Sequence, residues 1–245
     1  MEIIDINTIF GVSPRKEQDV SFPQLQKVLD KHNITRACAL SWKGVYYDYE
    51  LGNEETLSTT KLDPRIIPIA TIDPRRFYGD THGKLADSIV SSGFKALRLF
   101  PDIQGWPLTY APFYQIVNTI IMNTRLPLIL PTPRLGFITD CVEILEQNIT
   151  PCVPLVFTGI NYAFLSEALV VMKTHKNVNI DTSLFDTPDG YELINKEGCV
   201  SQIMLGTGSP ANYFLPAYES VMRSTLDDKE KSLIFAGNAV RILDI

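Results

Sequence analysis

Eight short apolar runs, each followed by a stretch of helical periodicity, recur roughly every 25 to 33 residues along this chain. That alternation limits its fold more than any other feature. The runs cover residues 3–11, 35–42, 65–74, 94–100, 126–133, 153–159, 178–183 and 201–208. Helical patterns lie between them, at residues 22–31, from Asn53 onward, at 80–92, through Phe113, Ile116, Val117, Ile120 and Ile121, and at 138–145 and 162–174. After the eighth run the chain finishes in helices at 213–224 and 227–235 and a last turn at 238–243. Strands alternating with helices build a parallel sheet, and eight such units close into a (β/α)8 TIM barrel, an α/β fold. The alternative is an open doubly wound sheet. The barrel is favoured because no glycine-rich nucleotide fingerprint follows the first run.

At 245 residues the chain fits one barrel domain spanning 1–245, since such barrels typically need about 250 residues. A 45% hydrophobic content leaves ample material for a core. The net charge of −6 argues against nucleic acid and anionic membrane surfaces, so a small molecule is the expected partner, with a homo-oligomer compatible. Cys38, Cys141, Cys152 and Cys199 show no CxxC spacing and read as buried free thiols of a reducing compartment. MEIIDINTIF has no basic leader, and no run approaches about 18 apolar residues, so neither signal peptide nor membrane span is expected and the cytoplasm is inferred.

In a barrel the active face is the C-terminal end of the strands. The polar residues there are Asp5, Asn7, Ser41, Asp73, Arg75, Arg98, Asp102, Thr132, Thr158, Asn161, Asp181, Ser183, Thr207 and Ser209. Histidine is missing from this set. His32, His82 and His175 fall in or at the ends of helices, so a zinc site, which draws on His and Cys, is not expected.

Four segments carry a family resemblance. Ile3-Ile4-Asp5-Ile6-Asn7-Thr8-Ile9-Phe10-Gly11 resembles the I-I-D-x-H-x-H-x-G opening of the amidohydrolase superfamily, in its decarboxylase-like (amidohydrolase 2) branch of metal-dependent barrel hydrolases. The segment from Gly93 to Pro101 (GFKALRLFP) is similar to that branch's G-F-K-G-x-R-L-x-P. The Asp181 to Ser183 region is similar to its seventh-strand D-x-S, and the segment from Ala236 to Leu243 (AGNAVRIL) to its closing G-G-N-A-x-R-L-L. The four occur in the family's order over nearly the whole chain. Carried across, however, the family's metal ligands fall on Asn7, Ile9, Pro131, Thr158 and Gly208, so the resemblance implies the barrel with its metal ligands replaced.

The remaining candidates for acid–base chemistry are Asp5, Arg98 and Asp181. If Ala96, Arg98 and Phe100 face the barrel interior, the guanidinium wants a carboxylate: Asp5, Asp181 or a ligand's. Asn7, Thr132, Thr158 and Ser183 are candidate ligand contacts, and Trp42 and Trp106 candidate pocket walls. No cofactor is expected. Two functions follow: a metal-free barrel that binds a small, anionic ligand, or a metal-independent hydrolase or lyase acting on a small carboxylate, lactone or amide.

Overall fold

The computed structural model describes residues 1–14, 17–78, 81–149 and 152–245. Eight parallel strands form the barrel: β1 (Ile4–Phe10), β2 (Arg36–Ser41), β3 (Ile66–Pro68 continued by Ala70–Thr71), β4 (Leu97–Arg98), β5 (Leu128–Pro131), β6 (Leu155–Thr158), β7 (Val178–Asp181) and β8 (Ile203–Met204). The third strand links the two halves of the sheet. Its first segment pairs with β2, and its second, entered through Ile69, pairs with β4. Closure comes from β8 and the residues after it. Ile6 N donates to Leu205 O, Gly208 N to Asn7 O and Ile9 N to Ser209 O, with a parallel bridge between Thr8 and Ser209.

Strands buried on both faces read as nearly continuous apolar runs, which is why the eight runs are visible in the sequence. Side-chain alternation sorts them into two layers. Ile4, Ile6, Cys38, Leu40, Ile67, Ile69, Ala96, Phe100, Ile129, Val156 and Met204 pack together inside the barrel. Leu97, Leu99, Leu128, Leu130, Phe157 and Ile180 pack outward against the helices. Arg98, between Leu97 and Leu99 and in phase with Ala96 and Phe100, therefore points inward.

The helices are α1 (Phe22–Lys31), α2 (Trp42–Tyr46), α3 (Tyr49–Leu62), α4 (Thr81–Ser91), α5 (Pro101–Gln104), α6 (Ala111–Thr124), α7 (Phe137–Asn148), α8 (Leu165–Thr174), α9 (Gly190–Lys196), α10 (Phe214–Met222), α11 (Asp228–Ser232) and α12 (Asn238–Leu243), the last entered through a π-turn over Leu233–Gly237. Ser21 caps α1 by accepting from Gln24 N, and Leu25 and Leu29 form its buried face. Asn238 Nδ2 donates to the carbonyls of Val200 and Ile203, so α12 sits at the N-terminal end of β8, where Ala239, Ile242 and Leu243 plug the barrel floor. At the opposite end Trp42 and Tyr46 of α2 and Ile103 of α5 pack on the same inner cluster.

Several local expectations change. The loop expected after β2 is helical: α2 begins at Trp42, and α3 begins at Tyr49 under an Asp48 cap, not at Asn53. Asn53 instead exchanges two 3.0 Å hydrogen bonds with the backbone of Thr71, tying α3 to the end of β3. Cys152 is exposed, whereas Cys38, Cys141 and Cys199 are buried, and all four are free. The expected helix start at Asp80 lies outside the described residues, as do Arg15 and Lys16 of the loop before α1 and the side chain of His82. Among the described residues no helix is long and apolar enough to cross a membrane.

Candidate active site at the barrel mouth

Asp5 is completely buried. Its Oδ1 accepts from Asn7 N at 3.0 Å and Thr207 N at 3.1 Å, and its Oδ2 from the Thr207 hydroxyl at 2.5 Å. Even with these donors, burial pushes the carboxyl up to about 7. Asp181, equally buried, accepts from Asn7 Nδ2 at 2.6 Å, Gly159 N at 2.9 Å and the Ser183 hydroxyl at 2.9 Å. Burial raises its pKa as well. Gly206 makes this carboxylate possible: a Cβ there would lie 2.4 Å from Asp181 Oδ2.

Arg98 completes the interior charge set. It is 7% exposed, and desolvation lowers its guanidinium to about 10. The expected structural pair is not formed: among the described residues Arg98 makes no ion pair or hydrogen bond with Asp5 or Asp181, and its buried Nε has no partner. The guanidinium instead lies over the Phe100 ring, 5.2 Å from its centroid. Trp42 flanks the same ring at 6.1 Å, and its indole Nε1 is likewise buried without a partner.

Among the described residues four of the six buried side-chain polar atoms without a partner follow a spatial pattern, while Asn179 Oδ1 and Thr187 Oγ1 lie elsewhere. Trp42 Nε1, Thr71 Oγ1, Arg98 Nε and Thr132 Oγ1 all belong to residues at, or one residue past, the C-terminal ends of four consecutive strands, β2 to β5. Buried polar groups normally find partners, so orphans gathered at one rim suit a polar ligand. Thr158 donates to Leu130 O at 3.4 Å, and Ser183 is engaged by Asp181. Trp106 donates to Gln104 Oε1 at 2.9 Å and packs on Phe113, 4.9 Å between centroids, within the outer layer.

Of the positions where the resemblance places metal ligands, Ile9, Pro131 and Gly208 carry no side-chain donor atom, whereas Asn7 and Thr158 keep a side-chain oxygen. Ile9 belongs to the inner apolar cluster, Asn7 gives its amide N–H to Asp181, and Gly208 has φ +74°. A Cβ at Gly208 would lie 2.5 Å from Nδ2 of the exposed Asn212, whose side chain would have to swing aside. Among the described residues no group of three or more His, Cys, Asp or Glu is arranged to hold a metal ion. His32 stacks on Phe214 and His175 lies 3.6 Å from Glu146, both far from the mouth in sequence and joined to outer helices.

Three partners of this site were not singled out by the sequence: Gly159 N, the close approach of Gly206, and Phe100 under the guanidinium. Thr207 and Ser209 do stand among the polar strand ends, but nothing in the sequence ties them to Asp5.

No family model matches the sequence, and no curated protein matches it. Solved structures do. The 5-carboxyvanillate decarboxylase of Novosphingobium aromaticivorans, solved with manganese and 4-hydroxy-3-methoxy-5-nitrobenzoic acid, superposes with TM-score 0.75 at 12% identity, covering 100% of this chain and 96% of its own. The 2,6-dihydroxybenzoate decarboxylase of Rhizobium gives 0.73 at 12% identity, covering 99% and 98%. The 4-oxalomesaconate hydratase of Rhodopseudomonas palustris gives 0.67 at 17% identity, covering 99% and 95%. These likenesses show that the chain has a TIM-barrel fold, as the alternation of its strands and helices implies.

Proposed function

We propose that this barrel binds a small carboxylate at its C-terminal mouth, with Arg98 as the anion's partner, and that it does so without metal-dependent hydrolysis. The observation that carries this reading is the buried Arg98 Nε with no protein partner, beside two carboxylates whose oxygens already accept from other donors. A desolvated guanidinium left unpaired is costly, and a bidentate carboxylate is its natural complement. Phe100 and Trp42 would wall the bound molecule, and the orphan Trp42 Nε1 and Thr132 Oγ1 would reach its other polar atoms. Several neighbours of the fold are named for carboxylate substrates, which supports the same class. The replaced ligand positions support the metal-free half of the proposal. Free thiols fit a cytoplasmic setting, and the acidic net charge fits a small-molecule partner better than nucleic acid.

A second reading has its own support. A carboxyl poised near neutrality is suited to proton transfer, so Asp5 favours a metal-independent hydrolase or lyase acting on a small carboxylate, lactone or amide. A thermal-shift screen of small carboxylates, lactones and amides, followed by turnover assays on each hit, tests both. Stabilisation by carboxylates supports the first reading; turnover that disappears in Asp5→Asn supports the second. A screen with no carboxylate hit contradicts the proposal.

A further inference from the structure

The atoms that suit a ligand at the mouth are shut away from it. Trp42 Nε1, Thr71 Oγ1, Arg98 Nε and Thr132 Oγ1 have neither a protein partner nor contact with solvent. A carboxylate can reach Arg98 Nε only if something over the mouth moves. Two short helices lie there: α2, whose Trp42 and Tyr46 pack on the inner cluster, and α5, whose Ile103 does the same.

The two helices are held very differently. On α2, a Cβ at Gly44 would sit 2.8 Å from Thr71 Cγ2, and a Cβ on Gly52 of α3 would lie 2.2 Å from Gly44 Cα, so α2 is clamped between β3 and α3. By contrast, α5 is a single turn between Pro101 and Gly105, and Gly105 has φ +71° with nothing within 4 Å of a Cβ. It is tied to β3 and the loops around it through the buried Gln104. The Gln104 Nε2 donates to Ile72 O at 3.3 Å, its Oε1 accepts from Trp106 Nε1 at 2.9 Å, and its backbone carbonyl accepts from Arg75 Nη1. On its other side α5 has room: Pro101 and Asp102 border a groove of about 500 Å³ that Pro133, Phe137 and Ile144 also line.

We propose that α5 is the gate of the carboxylate site and that the Gln104 side chain is its latch. The inference rests on the carboxylate reading of the mouth. In the closed arrangement Gln104 bonds Ile72 O and the Trp106 indole, and Ile103 covers the inner cluster. When α5 swings about Gly105 into the groove, Ile103 withdraws, and Arg98 Nε and Trp42 Nε1 become open to water or to the ligand's carboxylate. The orphaned polar atoms raise the energy of the closed arrangement and the Gln104 bonds lower it, so the latch sets how often the gate opens. A ligand that binds only the open arrangement has its affinity reduced by the fraction of molecules that are open. Gln104 is therefore a positioning residue that touches no ligand and controls access to Arg98.

The chain has two tryptophans, Trp42 under the gate and Trp106 on the latch, so the two indole N–H resonances of the isotope-labelled full chain report the motion directly. Gln104→Met keeps the side-chain length and leaves Ile72 O and Trp106 Nε1 without partners when the gate is closed, whereas both meet water when it is open. Exchange of both indole protons with solvent should accelerate about five- to tenfold, and the affinity for a small carboxylate hit should rise by a similar factor. Ile103→Ala, a milder change at a half-buried position, should move both readouts the same way. Gln202→Met serves as the control for general loosening. It removes the buried hydrogen bonds from Gln202 to the carbonyls of Met172, His175 and Val178, beside the N-terminal end of β8, and should move neither readout. Indole exchange unchanged in both Gln104→Met and Ile103→Ala overturns the gate whatever the mouth binds. Faster exchange with unchanged carboxylate affinity, or equal acceleration in Gln202→Met, overturns it as well. A wild type that binds no carboxylate removes the reading on which the inference rests, while the indole exchange still decides whether α5 moves.

Discussion

The side-chain amide of Asn7, on β1, donates to Oδ2 of Asp181, on β7, at 2.6 Å, fastening two strands across the barrel mouth. Asn7 stands where the resemblance places a metal-binding histidine, and here its donor is used to hold a carboxylate in the protein itself. Replacing it with Asp would remove a donor and set two buried carboxylates side by side. Asn7→Asp should therefore lose roughly 1–3 kcal/mol or more of stability near neutral pH. Part of the loss should be recovered as the pH falls, because a like-charge pair raises a carboxyl pKa and protonation relieves it. Urea unfolding of the variant and wild type at pH 5 and pH 8 measures both effects.

Asp5 gives the wild type a pH dependence of the opposite sense to an ordinary ion-paired carboxylate. Its folded pKa is raised from 3.8 to about 7, so between those values the native state holds a proton that the unfolded chain has released. Stability from this group should fall as the pH rises from about 4 to about 7 and level off above that. Asp181 is shifted the same way. Asp5→Asn should flatten the profile over this window, leaving a slope of the same sign from Asp181. Denaturant midpoints measured across pH 4 to 8 for both proteins check the sign.

Gly206 gives way to Asp181, with a built Cβ lying 2.4 Å from its Oδ2 and 2.9 Å from its Cβ. Gly206→Ala should cost about 1–3 kcal/mol as the carboxylate or the β8 backbone is displaced. The same substitution at Gly198, where nothing lies within 4 Å of a Cβ, meets no neighbour but sits at φ +70°, so it carries only the backbone strain. Thermal unfolding of the two variants separates overpacking from strain.

The barrel was legible because parallel strands covered on both faces must be apolar throughout, and each of the eight runs contains its strand. The C-terminal turn expected at 238–243 is α12. The segment from Lys43 to Asn53, with Tyr46, Tyr47 and Tyr49, reads as an aromatic loop, yet most of it is helical and its two glycines serve packing: a Cβ on Gly44 would lie 2.8 Å from Thr71 Cγ2 and one on Gly52 2.1 Å from Gly44 N, where α2 and α3 cross. Asn53 has the residue type of a cap, and only the fold reveals that its amide is taken by Thr71. At the mouth, the chemical types of Asp5, Asn7, Arg98 and Asp181 marked them as candidates. Their partners were not legible, because the bonds join residues 174 positions apart for Asn7 and Asp181 and 202 apart for Asp5 and Thr207. Nor could the sequence show that Arg98 would be left without either carboxylate.

Arg98 is the point on which the functional account turns. Titration calorimetry of a small carboxylate hit against the wild type and Arg98→Met, with thermal unfolding of both, measures its role directly. The account expects saturable binding to the wild type, lost in Arg98→Met, while the variant unfolds at the same or a higher temperature because an unpaired buried charge has been replaced by an apolar side chain of similar length. Undiminished carboxylate binding by a folded Arg98→Met protein would contradict it.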